Sequence, residues 1–291
     1  MAKQEQSQNM PENVIISNPE KLDNLIRKFK EQGQDKIHVL ADFDRTFTYA
    51  FVNGEKIPSI ISILRKEDIL NEEYAKRAEE LFTIYHFYEI DAIMPLADKK
   101  KKMAEWWDLH NQELLKHGLQ QKHLDIVAQS PKMKLRQGLA EFLTLLNSKQ
   151  IPVVIMSASG LGEYVIRKIL ERERINFPNI NIISNSPDFD PNGNLIGFKK
   201  PFIHVLSKTE TMLKDFPAYD NVKNRKNVIL LGDNIEDIGM VQGFDFDNLI
   251  KIGFLNEGVE KNLKDYERNF DVVLLNDTDM SYINTLLSQI L

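Results

Sequence analysis

The sequence predicts an α/β protein, built on a mostly parallel sheet with helices on both faces and interrupted after its first strand by a mostly helical insert. Three observations predict it. Short apolar runs at residues 36–41, 151–156, 227–231 and 271–275 have the length of buried strands. Helical patterns separate most of them, as at 162–173 and 259–268, and such alternation belongs to a parallel sheet with crossover helices. Residues 50–140 break the alternation, being rich in Lys, Glu and aromatics with helical spacing over 71–85 and 98–117.

Taken in order, residues 1–12 read as a disordered tail, polar and Gln-rich. Ser17-Asn18-Pro19-Glu20 reads as a helix start, with Pro in the first turn and an acid at the positive end of the dipole. That helix should run to Gln32 and stop at Gly33. Runs at 179–184 and 249–254 are weaker strand candidates. Asp190-Pro191-Asn192-Gly193-Asn194 is a hairpin signal, because Asn-Gly tolerates positive φ at both turn centres. The expected organisation is a core of residues 13–49 and 141–291 with a helical cap over 50–140.

Composition narrows the function classes. Lys and Arg number 37 against 43 Asp and Glu, a net charge of −6, which argues on electrostatic grounds against a general nucleic-acid binder. Phosphate substrates are still open, since a bound cation can supply positive charge. With no cysteine, disulfides, thiolate zinc sites and cysteine nucleophiles are excluded. No apolar run approaches the roughly 18 residues of a membrane span, and the N-terminus has no apolar leader segment. No nucleic-acid or membrane partner is expected, and a cytoplasmic monomer is.

Four places could carry chemistry. Asp42-Phe43-Asp44-Arg45-Thr46 follows the first strand, so two carboxyls can point into the crevice at the sheet's carboxyl edge, one to attack or bind metal and one to move protons. Gly232-Asp233-Asn234-Ile235-Glu236-Asp237 again puts acids after an apolar strand. If a helix starts here, Asp233 and Asp237 share a face. So many carboxylates would repel one another unless a cation such as Mg²⁺ sat among them. Ser157-Ala158-Ser159-Gly160 ends a strand and opens a helix, a turn that offers a hydroxyl and backbone N–H groups to a phosphate. Lys199, Lys200 and Lys208 are candidate cations for transition-state charge. Taken singly, each acid or serine reads as well as a helix cap, and each lysine as a solvated side chain.

In this order the motifs resemble the haloacid dehalogenase (HAD) superfamily of phosphohydrolases, which implies a HAD-like Rossmannoid core. Residues 198–208, Ile229-Leu230-Leu231-Gly232-Asp233, residues 250–256 and Asp188-Phe189-Asp190 resemble the cytosolic pyrimidine 5'-nucleotidase (cytosolic 5'-nucleotidase III) family, as do Tyr88-Glu89-Ile90-Asp91 and Met103-Ala104-Glu105-Trp106-Trp107 in the insert. Two departures stand out. Ser157-Ala158-Ser159-Gly160 has one residue more than the family's Ser-Ala-Gly, which leaves Ser157 or Ser159 as the phosphate hydroxyl. Ser207 and Thr209-Glu210 flank Lys208 where the family has Asn and His-Asp.

The resemblance implies a Mg²⁺-dependent 5'-nucleotidase with a nucleoside monophosphate as its partner. Asp42 is the implied nucleophile, Asp44 the acid and base, and Asp42, Asp44, Asp233 and Asp237 the metal group. Ser157, Ala158 and Lys208 would hold the phosphoryl oxygens, and Glu89 and Trp107 would read the nucleoside. Phosphotransfer from the covalent intermediate is also implied. Trp106 and Trp107 point about 100° apart on a helix, so at most one should face the site, with the other in the core. A phosphatase for 7-methylguanosine monophosphate or another small phosphomonoester is the nearest alternative. A phospho-acceptor signalling module is an alternative of another class, disfavoured by Asp44 and by the insert. His38 reads as core, and His110, His117 and His123 have no convincing ligand spacing.

Overall fold

The computed structural model describes residues 11–57, 59–91, 93–200, 202–208, 219–242 and 244–291, so the expected tail lies outside the described residues up to residue 10. A short strand β1 (Val14–Ile16), absent from the sequence expectation, precedes helix α1 (Pro19–Gln32). Asn18 caps α1 by accepting from Lys21 N, Pro19 occupies the first turn, and Gly33 ends it at φ 82°. Leu22, Leu25 and Phe29 form its buried stripe. Strand β2 (Ile37–Ala41) follows and is buried throughout.

The chain then makes a two-strand ribbon, β3 (Phe51–Val52) and β4 (Glu55–Lys56), and the helices α2 (Ile60–Lys66), α3 (Glu72–Ile90), α4 (Leu96–Lys116) and α5 (Gln121–Gln129). It returns through α6 (Leu139–Ser148), β5 (Val153–Met156), α7 (Gly162–Arg172), β6 (Ile180–Ile183), β7 (Pro187–Phe189), β8 (Leu195–Phe198) and α8 (Tyr219–Val222). It ends through β9 (Asn227–Gly232), β10 (Asn248–Leu255), α9 (Val259–Asn269), β11 (Val272–Leu275) and α10 (Ser281–Ile290). Both weaker strand candidates are therefore strands, β6 and β10.

The main sheet runs β1-β11-β10-β9-β2-β5-β6, parallel except where β1 meets β11. Side chains alternate across it. Ile37, Val39 and Ala41 of β2 join one apolar cluster, and Leu40 joins the other. The first cluster continues into the base of the insert through Ile60, Ile63, Tyr74 and Leu124. The outer halves of α3 and α4 close over a separate small cluster of Leu81, Tyr85 and Met103.

Register places the chemistry. Ala41 pairs with Leu231 on one side and Ile155 on the other, so Asp42, Asp233 and Ser157 emerge along one edge. Strands leave β2 toward β5 on one side and β9 on the other, which opens the crevice where such sheets bind ligands.

The hairpin signal is real, but its geometry differs from the expectation. The β7–β8 connection is a five-residue loop, and of Asn192 and Gly193 only Gly193 takes a positive φ, 80°. The Asp190 carboxylate accepts from Asn192 N at 2.9 Å and Asn194 N at 2.8 Å, and this turns the loop without a second left-handed residue.

Candidate active site

Asp42 leaves β2 with its N–H donating to Leu231 O at 3.0 Å, which ties the loop to the neighbouring strand. Its carboxylate accepts from the Lys208 ammonium, which also donates to Asp237 Oδ1 at 3.1 Å. Lys208 follows a 3-10 turn at Val205–Ser207 and is 5% exposed, so the interior holds it as part of an ion triad. Asp44 Oδ1 accepts from Ile60 N at 3.1 Å, which places that carboxyl at the start of α2.

Asp233 follows Gly232 at the end of β9. The chain then forms a 3-10 helix, Ile235–Val241, where the sequence suggested an α-helix. Asp237 still reaches Asp233, because its other oxygen accepts from Asn234 N at 3.1 Å and folds the turn back on itself. The turn fits only over glycine: a Cβ at Gly232 would stand 2.6 Å from Asp237 Cβ. Tyr266 OH donates to Asp233 O at 2.5 Å. Carboxylate oxygens of Asp42, Asp233 and Asp237 lie within 4.8 Å of one another.

Three carboxylates around one ammonium leave uncompensated negative charge. Burial pushes the Asp42 carboxyl up to about 7, with Asp237 and Asp44 adding to the rise and Lys208 opposing it. Burial, then Asp42 and Asp237, raise Asp233 well above the usual carboxylate range. Burial also raises Asp44. Burial alone would lower the Lys208 ammonium, but Asp237 and Asp42 outweigh it and the net shift is upward. An all-oxygen cluster in which Asp42 and Asp233 are raised is what a hard divalent cation would discharge.

The loop after β5 lies opposite. Ser157 is 1% exposed, and its Oγ accepts from Ser159 N at 3.1 Å. Ala158 and Ser159 reach the cleft surface. The Trp107 ring lies on this loop so closely that a Cβ on Gly160 would come 2.5 Å from its Cζ3.

These groups line a single cleft of about 870 Å³, which also takes in Glu89, Trp106 and Trp107. Asp42, Asp44, Ala158, Lys208, Asp233, Asp237, Glu89 and Trp107 are thus brought together, with Ser157 just beneath. Glu89 Oε2 meets His86 Nδ1 at 2.9 Å. The expectation that at most one tryptophan faces the site is corrected, since both line the cleft, and Trp106 also packs on the Leu81, Tyr85 and Met103 cluster. Trp106 stacks on Tyr85, its ring plane 9° from that ring, and leans on Phe82, so aromatic neighbours hold it at the wall.

Sequence reading missed Phe82 and His86. Phe82, His86 and Glu89 are spaced i, i+4 and i+7 on α3, one helix face, and the two rings stack at 4.8 Å. A helix taken only to residue 85 cuts that face in two. Elsewhere, His38 is buried in β2 with Nδ1 against Arg225 O, His110 Nε2 meets Tyr74 OH at 3.2 Å, and His123 Nδ1 accepts from Gln120 N. Lys199 and Lys200 are exposed.

A family model described as Pyrimidine 5'-nucleotidase (UMPH-1) matches residues 45–291. The 7-methylguanosine phosphate-specific 5'-nucleotidase B of Xenopus laevis is 34% identical over 275 residues, 94% of this chain and 94% of its own. The crystal structure of cytosolic 5'-nucleotidase IIIB bound to cytidine matches with a TM-score of 0.87 at 32% identity, covering 97% of this chain and 94% of that one. A HAD family hydrolase from Salmonella enterica serovar Typhi, 16% identical with a TM-score of 0.54 over 92% of this chain and 80% of its own, shares the fold. Among the described residues no helix is long and apolar enough to cross a membrane.

Proposed function

The chain belongs to the pyrimidine 5'-nucleotidase family and is a 5'-nucleotidase of HAD fold, and on that premise we propose that it hydrolyses a nucleoside 5'-monophosphate through an aspartyl-phosphate on Asp42. The observation that carries this reading is the buried Asp42–Lys208–Asp237 ion triad beside Asp233, lining a cleft with aromatic walls.

Asp42 attacks phosphorus; a new P–O bond forms as the bond to the 5' oxygen breaks. Asp44, its carboxyl raised by burial, gives that oxygen a proton. Asp44 then takes a proton from water as the water attacks phosphorus, which releases phosphate and restores the Asp42 carboxylate. Lys208, the Ala158 N–H and a hydroxyl of Ser157 or Ser159 hold the phosphoryl oxygens. The donor set fits Mg²⁺, which Asp42, the Asp44 carbonyl, Asp233 and Asp237 would hold. When bound, it would neutralise phosphoryl charge. Transfer of the phosphoryl group to a second nucleoside follows if an alcohol replaces water.

We read residues 50–140 as a cap over the core of 13–49 and 141–291. In that cap Glu89 accepts from a base N–H or a ribose hydroxyl, and Trp107 stacks on the base. The second reading, 7-methylguanosine monophosphate as substrate, is favoured by the name of the Xenopus laevis relative and by the affinity of an indole face for a cationic ring. The protein works as a cytoplasmic monomer. Phosphate release from CMP, UMP, AMP, GMP, 7-methylguanosine monophosphate and sugar phosphates, with Mg²⁺ and with chelator, tests the proposal. Preference for sugar phosphates, or full activity in chelator, would refute it.

A further inference from the structure

Arg136 is 2% exposed and sits on the segment that returns from the insert to α6. A buried guanidinium costs heavily unless its N–H groups are used, and here it makes four hydrogen bonds and one ion pair. Nε donates to Thr46 O at 2.8 Å, one terminal nitrogen donates to Arg45 O at 2.6 Å and Asn256 Oδ1 at 2.8 Å, and the other donates to Thr278 O and meets Asp277 Oδ1 at 3.0 Å. The Phe254 ring lies 4.3 Å from the guanidinium carbon. Asp277 in turn accepts from Ala50 N at 2.9 Å and Phe51 N at 2.8 Å. The Arg136 N–H donates to Phe47 O at 2.9 Å. One buried pair therefore ties the outgoing segment, residues 45–51, to the returning one.

Arg45 is the residue so held, and its φ is 61°, left-handed in a non-glycine residue. Such a residue persists only where its surroundings over-determine it. Here its carbonyl accepts from Arg136 and from Asn256 Nδ2 at 3.0 Å, and its N–H donates to Thr48 Oγ1 at 2.7 Å. The turn comes directly after Asp44, whose carboxyl is also held by the Ile60 N–H at 3.1 Å.

We infer that Arg136 is a positioning residue for Asp44: with Asn256 it holds the left-handed turn at Arg45 that aims the Asp44 carboxyl into the cleft. The inference rests on Asp44 being the acid and base of the reaction. Arg136→Lys has three donors for five contacts, and Asn256→Ala removes one of the two donors to Arg45 O. Each should lower kcat for a nucleoside monophosphate about 10- to 100-fold, as a misplacement of about 1 Å does, while KM shifts less than about threefold. In an Asp44→Asn background the same substitutions should cost less than about threefold, because a residue acting through Asp44 has nothing left to aim.

Circular dichroism and melting curves establish which variants fold. If Arg136→Lys does not, Asn256→Ala decides alone. Folded variants with kcat within about threefold of the parent would overturn the inference, as would an equal loss with and without Asp44. Full activity of Asp44→Asn itself would overturn the acid–base reading and the inference with it, and that outcome is distinct from the other two.

Discussion

Replacing Lys208 by Met should make stability depend on pH in a way the parent's does not. In metal-free protein, burial lifts the folded-state Asp42 carboxyl to about 7, above its ordinary value of 3.8. Between those values the folded state binds more protons than the unfolded, so Asp42's contribution to stability falls as pH rises, and it levels off above about 7. Lys208 is the group that opposes the rise. Without it the carboxyl moves above 7 and the decline continues past neutrality. The gap between parent and variant should therefore widen above pH 7 by up to about 1.4 kcal/mol per pH unit for one proton. By pH 9 that is about 2.7 kcal/mol, or a further fall in Tm of about 5–10 °C. Mg²⁺ should narrow the gap by discharging the same carboxylates, and kcat should fall about 10²- to 10³-fold at saturating Mg²⁺. The assay is thermal unfolding from pH 6 to 9 in chelator and in Mg²⁺, with phosphate release alongside. A parent–variant gap that stays constant over that range in chelator would refute the electrostatic reasoning.

Asp42→Asn should fold as the parent does and lose turnover more than about a hundredfold, since an amide is no anionic nucleophile; steady-state phosphate release measures it, and activity above that level would count against the role. Glu89→Ala should lower kcat/KM for nucleoside monophosphates about tenfold by removing a charge-assisted hydrogen bond, while p-nitrophenyl phosphate, which has no base or ribose, changes little. An equal loss on both substrates would mean that Glu89 supports the fold through His86 instead. Gly160→Ala puts a Cβ 2.5 Å from the Trp107 ring, which must retreat about 1 Å to reach ordinary contact. KM for nucleotides should rise about tenfold, and an unchanged KM would show that Trp107 does not touch the base.

Much of this protein was legible in its sequence because the relevant physics is local. Four strands announce themselves as apolar runs bounded by helical patterns, since a strand buried on both faces needs apolar residues throughout. Pro19 and Gly33 mark the ends of α1 because an imide nitrogen and a left-handed residue suit those positions. Asp42, Asp44, Asp233 and Asp237 were readable as acids at strand ends, and the order of the motifs supplied the family. Strand β1 was not legible: its three residues make too short a run, and it is pairing with β11 and packing into the two apolar clusters that hold them.

Tertiary structure alone decided the rest. Lys208 looks like any surface lysine in sequence, and becomes buried because Asp42 and Asp237, 166 and 29 residues away, supply its counter-charge. Trp106 and Trp107 both line the cleft although they leave one helix in different directions. Asp233 and Asp237 meet through a 3-10 turn that exists only because Gly232 leaves room beneath it. Arg136, which no local pattern singles out, is fixed by the Arg45 and Thr46 carbonyls, the Asn256 amide and the Asp277 carboxylate, from three separate segments. Contacts between residues far apart in sequence depend on how the sheet orders its strands, and no short window of the chain carries that information.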